Sequence, residues 1–328
     1  MKLFKKSLCA LLVGAGVLAA GIASAEEARL RAVSAFTANT AFSRPFEAFV
    51  KKVNENGKGL VQIDIIGGPE TMPPFELGNA VSKGIVDMAN VPGAFYLSLM
   101  PAADALRLAE IPIAEQRENG AWEYINELHN KHMNVWYLAR TADQQKYHLY
   151  LAGNPLEKPD LKGLTLRVSP TYRSFFEALG ASLVQTPPGE VYTALERGVV
   201  QGYGWPLQGV LDLSWDEVTD YRVDPGFYTV DVNALVNLDS WNKLSVEQKA
   251  FLSKMAVELE QELAANVDAQ NAKEKAGQAE AGIKTITFSE ADAKTWLETA
   301  RRTGWEQVES QAPPEEAKRL KELLTVQK

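Results

Sequence analysis

Arg167 is the side chain best placed to hold a ligand. It lies in Leu164-Thr165-Leu166-Arg167-Val168, where Leu164, Leu166 and Val168 alternate as on a β-strand and leave Arg167 on the opposite face. Ser169-Pro170 follows at once, an N-cap and first-turn pair that opens a helix. In open α/β sheets the carboxyl ends of the strands face the ligand crevice. A guanidinium there, beside free helix N–H groups, suits a carboxylate through two parallel hydrogen bonds and the helix dipole. A structural ion pair with a neighbouring Asp or Glu fits the same position equally well.

Other chemistries find little footing. There is no Gly-x-Ser-x-Gly, and Gly67-Gly68 lacks the spacing and the lysine of a phosphate loop. His129 and His132 are three apart, so they share a helix face. No third metal ligand accompanies them, and they read as a solvated face. Cys9 is the only cysteine. No nucleophile, metal or cofactor is indicated, and the chain does not read as an enzyme.

Residues 1–25 read as a secretory signal: Lys2, Lys5 and Lys6, an apolar stretch, then the cleavage site Ala23-Ser24-Ala25. Its removal takes away three lysines and no acids, so the formal charge falls from −8 to −11. It also removes Cys9, excluding disulfides and thiolate chemistry from the mature chain. An acidic protein repels nucleic acid, and it repels organic anions too, so an anion site must be locally basic. The 328 residues are enough for two domains with their own cores.

The elements around Arg167 run strand, helix, strand, helix, strand. Gly180 ends the first helix, Ala181-Ser182-Leu183-Val184-Gln185 is the second strand, and the loop Thr186 to Gly189 leads into a helix ending at Gly198. Val199 to Pro206 is the third strand. Nearer the N-terminus, the strand Ala28 to Phe36 runs into a polar loop from which Phe36 and Asn39 can reach a ligand. The following helix carries Phe42, Phe46, Phe49 and Val53 on one stripe, read as core. In Leu60 to Gly68, Val61, Ile63 and Ile65 share a face. The loop Pro92 to Tyr96 can line a cleft. Asp143 to Tyr150 begins a crossover between domains, and the strand Thr229 to Asn237 returns. Ser245 and Gln248 form a capping box, opening a helix of roughly thirty residues and about 45 Å. The tail after Pro314 reads as a charged surface helix.

Asp160-Leu161-Lys162-Gly163, Arg167-Val168, Ala178-Leu179-Gly180-Ala181, Glu190, Tyr192 to Leu195 and Gly198 to Gly202 stand in this order. Together they resemble the signature of the DctP-like substrate-binding proteins of tripartite ATP-independent periplasmic (TRAP) transporters. Gly84 to Met88 and Trp241 with Leu244 extend the likeness over nearly the whole mature chain. The resemblance implies an α/β, two-domain periplasmic binding protein fold, with a ligand cleft between the domains and a long helix spanning both. Domain I is expected over 26–144 plus 233–272, and domain II over 145–232 plus 273–328. The implied protein is a monomeric periplasmic binder with neither cofactor nor metal, which passes an organic acid to membrane permease subunits. An ABC-type or sensor-linked periplasmic binding protein is the alternative.

The resemblance makes Arg167 the carboxylate clamp, with Ser169 at the helix start beside it and Glu70 in a loop that enters the cleft. Two departures matter. Where several members carry a second arginine, about twenty residues earlier, this chain has Tyr147; its hydroxyl, or Arg140, would replace that clamp. Where the family often has Asn before Pro, this chain has Trp205 before Pro206. That ring, with Tyr203, would favour an apolar or aromatic ligand body, unless it packs into the core.

Overall fold

The computed structural model describes residues 26–326, so the secretory signal expected over 1–25 lies outside the described residues. Eleven strands form two sheets among the described residues: β1 (Ala28–Ser34), β2 (Val61–Gly67), β3 (Met88–Pro92), β4 (Val135–Ala142), β5 (Lys146–Leu151), β6 (Thr165–Val168), β7 (Ser182–Gln185), β8 (Gly202–Pro206), β9 (Tyr221–Thr229), β10 (Val232–Asn237) and β11 (Lys284–Thr287). The first sheet runs β2-β1-β3-β10-β4 and the second β11-β9-β5-β8-β6-β7. β1 is parallel to β2 and β3, and β6 is parallel to β7 and β8. The returning strands are antiparallel, β10 beside β3 and β4, β5 beside β8 and β9.

Strand alternation decides which side each residue serves. On β1, Leu30 and Ala32 join Phe46, Phe49 and Val53 of the helix Arg44–Asn56, together with Leu252, Met255 and Leu259 of the helix Val246–Glu280. Val33 faces the other way, into a buried cluster that continues through Phe36 and Phe95 to Trp205, Phe227 and Trp296 in the second half. Ile65 departs from the expected face: β2 is an edge strand, and this residue near its end is 40% exposed.

The chain passes between the sheets at two neighbouring places. β4 gives way to β5 through Asp143 to Gln145, and β9 gives way to β10 at Val230 and Asp231, dividing the single strand expected over Thr229 to Asn237. The Val230 N–H donates to the Gln145 carbonyl at 2.9 Å, joining the two crossings. Asp231 is buried, and its carboxylate accepts from the Gly93 N–H at 2.8 Å and from the Asn233 amide at 3.2 Å.

The helix Val246–Glu280 has 35 residues, about 52 Å, and opens with the capping box of Ser245 and Gln248. Near its start the Gln248 amide donates to the Leu60 carbonyl ahead of β2. In its middle Glu260 takes two hydrogen bonds from Arg117, at 2.6 and 3.0 Å, and one from the Arg140 backbone at 2.9 Å. Towards its end Gln278 donates to the Leu207 carbonyl and accepts from Arg222, both at 2.8 Å. It therefore touches both sheets. It continues through Gly277, where a Cβ would press on Leu211.

Two expectations change. The helix Pro314–Leu324 buries Ala317, Leu320 and Leu324, and its Glu316 binds Lys131 and His132, so it is anchored rather than a surface tail. His129 is not on a solvated face: it is fully buried, held by the Tyr96 hydroxyl and the Ile125 carbonyl. Burial lowers its pKa to about 4, so it is a neutral core residue. No described helix is long and apolar enough to cross a membrane.

Glu260→Ala leaves Arg117 without its carboxylate, keeping only the Leu138 carbonyl, and the buried Arg140 N–H without an acceptor. We expect it to lower stability by about 3 kcal/mol in urea unfolding, and a loss under 1 kcal/mol would contradict this account. Burial raises the Asp231 carboxyl to about 6, against the opposing pull of Arg140. The folded protein thus holds this proton more tightly than the unfolded chain does, whose carboxyl titrates near 3.9. The associated stability is complete below about pH 4 and falls by about 3 kcal/mol as pH rises through 6. Asp231→Asn should flatten that decline, which equilibrium unfolding at pH 4, 5, 6 and 7 would read directly.

Candidate functional site

Four buried arginines stand out among the described residues: Arg107, Arg140, Arg167 and Arg222. Three are paired with a carboxylate, Arg107 with Asp104, Arg140 with Asp143 and Arg222 with Asp224. Arg167 is fully buried, yet pairs with no carboxylate among the described residues, so it does not make the structural ion pair that its position allowed. Its guanidinium is held by neutral oxygens. Nε and Nη2 donate to the Thr186 carbonyl at 3.0 and 2.5 Å, and Nη1 donates to the Tyr172 hydroxyl at 2.9 Å. A guanidinium has five N–H donors, so two remain uncommitted.

This cradle follows from β6 lying between β7 and β8. The loop after β7 supplies Thr186. The 3₁₀ turn Pro170–Tyr172 after β6 supplies the phenol, which itself donates to the Gly204 carbonyl on β8. Gly204 is required there, because a Cβ would run into the Tyr172 ring. Ser169 stands at the start of that turn but makes no side-chain capping bond, which leaves its buried hydroxyl available.

Arg167 opens onto a small cavity between the two sheets. Ser169, Thr171, Tyr172 and Trp205 line it on the side of the second sheet, and Phe36, Phe42, Pro92 and Phe95 on the side of the first. Tyr147 of β5, Val230 at the second crossing and Val232 of β10 line it beside the crossings. Burial drives the Tyr147 phenol far above its usual pKa, so it stays a neutral donor. Trp205 both packs and lines the cavity. Its ring meets Trp215 edge-on at 4.7 Å and Phe42 at 5.9 Å, and the Arg167 guanidinium lies 6.0 Å from its centroid. Its Nε1 is buried without a partner among the described residues.

Of the residues singled out in the sequence, the cavity brings together Phe36, Tyr147, Arg167, Ser169 and Trp205. Tyr203 lies elsewhere. It stacks on Tyr150 at 5.1 Å, meets Trp215 edge-on, and shares a hydrogen bond with Thr219, within the core of the second half. Asn39 is exposed in a left-handed turn (φ 62°), where its backbone binds Glu47 and Arg44. Glu70 turns back on its own loop and accepts from the Gly68 N–H at 2.7 Å; hydrogen bonds from its own N–H and that of Gly68 lower its pKa. Arg140 is committed to Tyr137, Asp143 and Gln116, so it is Tyr147 that stands at the cavity.

Sequence reasoning missed Tyr172 and Phe42. Tyr172 sits one turn beyond Arg167, at the expected helix start, and that placement was the available signal. Phe42 fits the periodic stripe of the next helix, but that helix begins at Arg44, so its ring escapes the stripe and turns to the cavity.

Residues 33–311 match the family model described as bacterial extracellular solute-binding protein, family 7, DctP. The chain is 24% identical over 258 residues to the monocarboxylate 2-oxoacid-binding periplasmic protein of Nostoc sp. (strain PCC 7120 / SAG 25.82 / UTEX 2576), covering 74% of this chain and 69% of that one. Its structure is similar to a TRAP periplasmic solute-binding protein from Desulfovibrio salexigens with bound orotic acid (TM-score 0.79, 19% identity, covering 90% and 98% of the two chains). It is also similar to one from Rhodoferax ferrireducens with bound malonate (TM-score 0.78, 19% identity, covering 90% and 96%). These likenesses show the shared fold. The family match spans most of the chain, which therefore belongs to the DctP family of bacterial extracellular solute-binding proteins, whose members bind solutes rather than transform them.

Proposed function

We propose that the chain is the periplasmic receptor of a TRAP-type transporter, which captures an organic acid through Arg167 and delivers it to a membrane permease. One observation carries the reading: Arg167 is a buried cation without a carboxylate partner among the described residues, has two N–H groups to spare, and opens onto an aromatic cavity between the sheets. A carboxylate accepts two such bonds in parallel. Tyr147 and Ser169 are hydroxyl donors on the same cavity, and Trp205, Phe36 and Phe42 suit an apolar or aromatic body. The ligands named for the relatives, a monocarboxylate 2-oxoacid, orotic acid and malonate, all carry a carboxyl group.

In this reading residues 1–25 direct export to the periplasm, and the mature protein acts as a monomer. Domain I comprises 26–144 with 233–272 and domain II 145–232 with 273–328, the last helix reaching back onto the first half. They close about the crossings at Asp143 to Gln145 and at Val230 and Asp231. The ligand favours closure because it touches both sides, which makes its affinity differ between the open and closed forms.

Arg167→Ala should weaken organic-acid binding by about 30-fold or more, the loss expected of a charge-assisted pair in a closed site. Calorimetry against a panel of organic acids measures this, and an unchanged affinity would remove Arg167 from the site. Trp205→Asn should shift the ranking within the panel from aryl acids towards small polar ones. An unaltered ranking would dismiss the apolar body.

A further inference from the structure

A second cavity lies against the first, and Phe36, Phe42 and Trp205 line both. The outer one is bounded by Ala41 and Pro73 on one side and by Pro188, Gly189 and Leu213 on the other. The two differ greatly in room. The inner cavity holds ≈ 20 Å³ and the outer ≈ 350 Å³. The inner value suits one or two waters or a carboxylate head, whereas the outer value suits the body of a small molecule. The partition consists of side chains, with Phe36 and Phe42 centred 5.3 Å apart and Phe42 and Trp205 5.9 Å apart.

The polar groups differ as well. Arg167 is the one cation on the inner lining, and Glu190 is the one ionisable side chain on the outer. The orphaned Trp205 Nε1 belongs to the outer side: it lies 3.2 Å from where a Cβ on Gly209 would stand, beside Ala41 and Phe42, all of them on the outer lining. Trp205 is only 6% exposed, and this N–H has no acceptor among the described residues.

We infer that the outer cavity is a subsite for the distal arm of the ligand, and that the ligand is a monocarboxylic acid. Its apolar arm passes the three rings and presents a hydrogen-bond acceptor to Trp205 Nε1. A second carboxylate at the far end meets Glu190 and no cation, which selects against dicarboxylic acids. This inference rests on the carboxylate standing at Arg167.

Calorimetry with butanoate, octanoate, 4-oxooctanoate and octanedioate tests it, on the wild type, Arg167→Ala, Trp205→Phe and two variants that fill the outer cavity from opposite walls. These are Ala41→Leu and Gly189→Phe; a Cβ at Gly189 meets nothing within 4 Å. Octanoate should bind at least about tenfold tighter than butanoate, as expected for burying several methylenes, and octanedioate no tighter than butanoate. 4-Oxooctanoate should exceed octanoate, and Trp205→Phe should erase that difference. In either filled variant the ratio of octanoate to butanoate affinity should fall to within about twofold. Equal binding of butanoate and octanoate, no binding by either, or a ratio that survives both filled variants overturns the subsite. If the chain-length preference is missing while Arg167→Ala still abolishes binding, the subsite alone fails; binding indifferent to Arg167→Ala removes the carboxylate reading and the subsite with it.

Discussion

A buried positive charge held by neutral oxygens is the constraint around which this molecule is arranged. Removing a guanidinium from water is costly unless something of opposite sign replaces the lost hydration. Arg107, Arg140 and Arg222 meet that cost within the chain, each with its own aspartate. Arg167 instead has one peptide carbonyl and one phenol. The Thr186 carbonyl and the chain from Tyr172 to Gly204 orient the cation and offset part of the cost with dipoles, while leaving its net charge uncancelled. One N–H on Nη1 and one on Nη2 are left uncommitted.

The constraint also bears on how an acidic protein would hold the anion proposed for it. The net charge of −8 opposes an approaching carboxylate at long range, and a cation at the rim would be screened by salt and water. Inside an aromatic enclosure, the interaction between one guanidinium and one carboxylate is much less screened. In the proposed reading Phe36, Phe42, Phe95 and Trp205 would therefore have an electrostatic role besides an apolar one, since they line the cavity and would exclude the water that weakens such a pair.

Much of this was legible in the sequence, where a periodic pattern fixes direction. Alternation in β6 put Arg167 opposite Leu166 and Val168, Trp205 was located by its place before Pro206, and the capping box marked the start of the long helix. The losses came where direction is set by turns. Asn39 and Glu70 lie on loops that lead towards the cleft, yet each is drawn into local backbone bonds. Tyr203 shares strand parity with Trp205, but it sits two residues further back and meets Tyr150 and Trp215 instead. His129 was misread because the helix face it shares with His132 is covered by Tyr96 and Tyr137, contacts that arrive from distant segments.

The long helix makes the two halves less free than two linking segments would. The crossings lie side by side, tied by the hydrogen bond from Val230 to Gln145. The helix adds a third tether, pinned to the first sheet through Glu260 and to the second through Gln278. The two crossings and the helix are thus three connections between the sheets, and the closure proposed for the cleft has to leave all three intact.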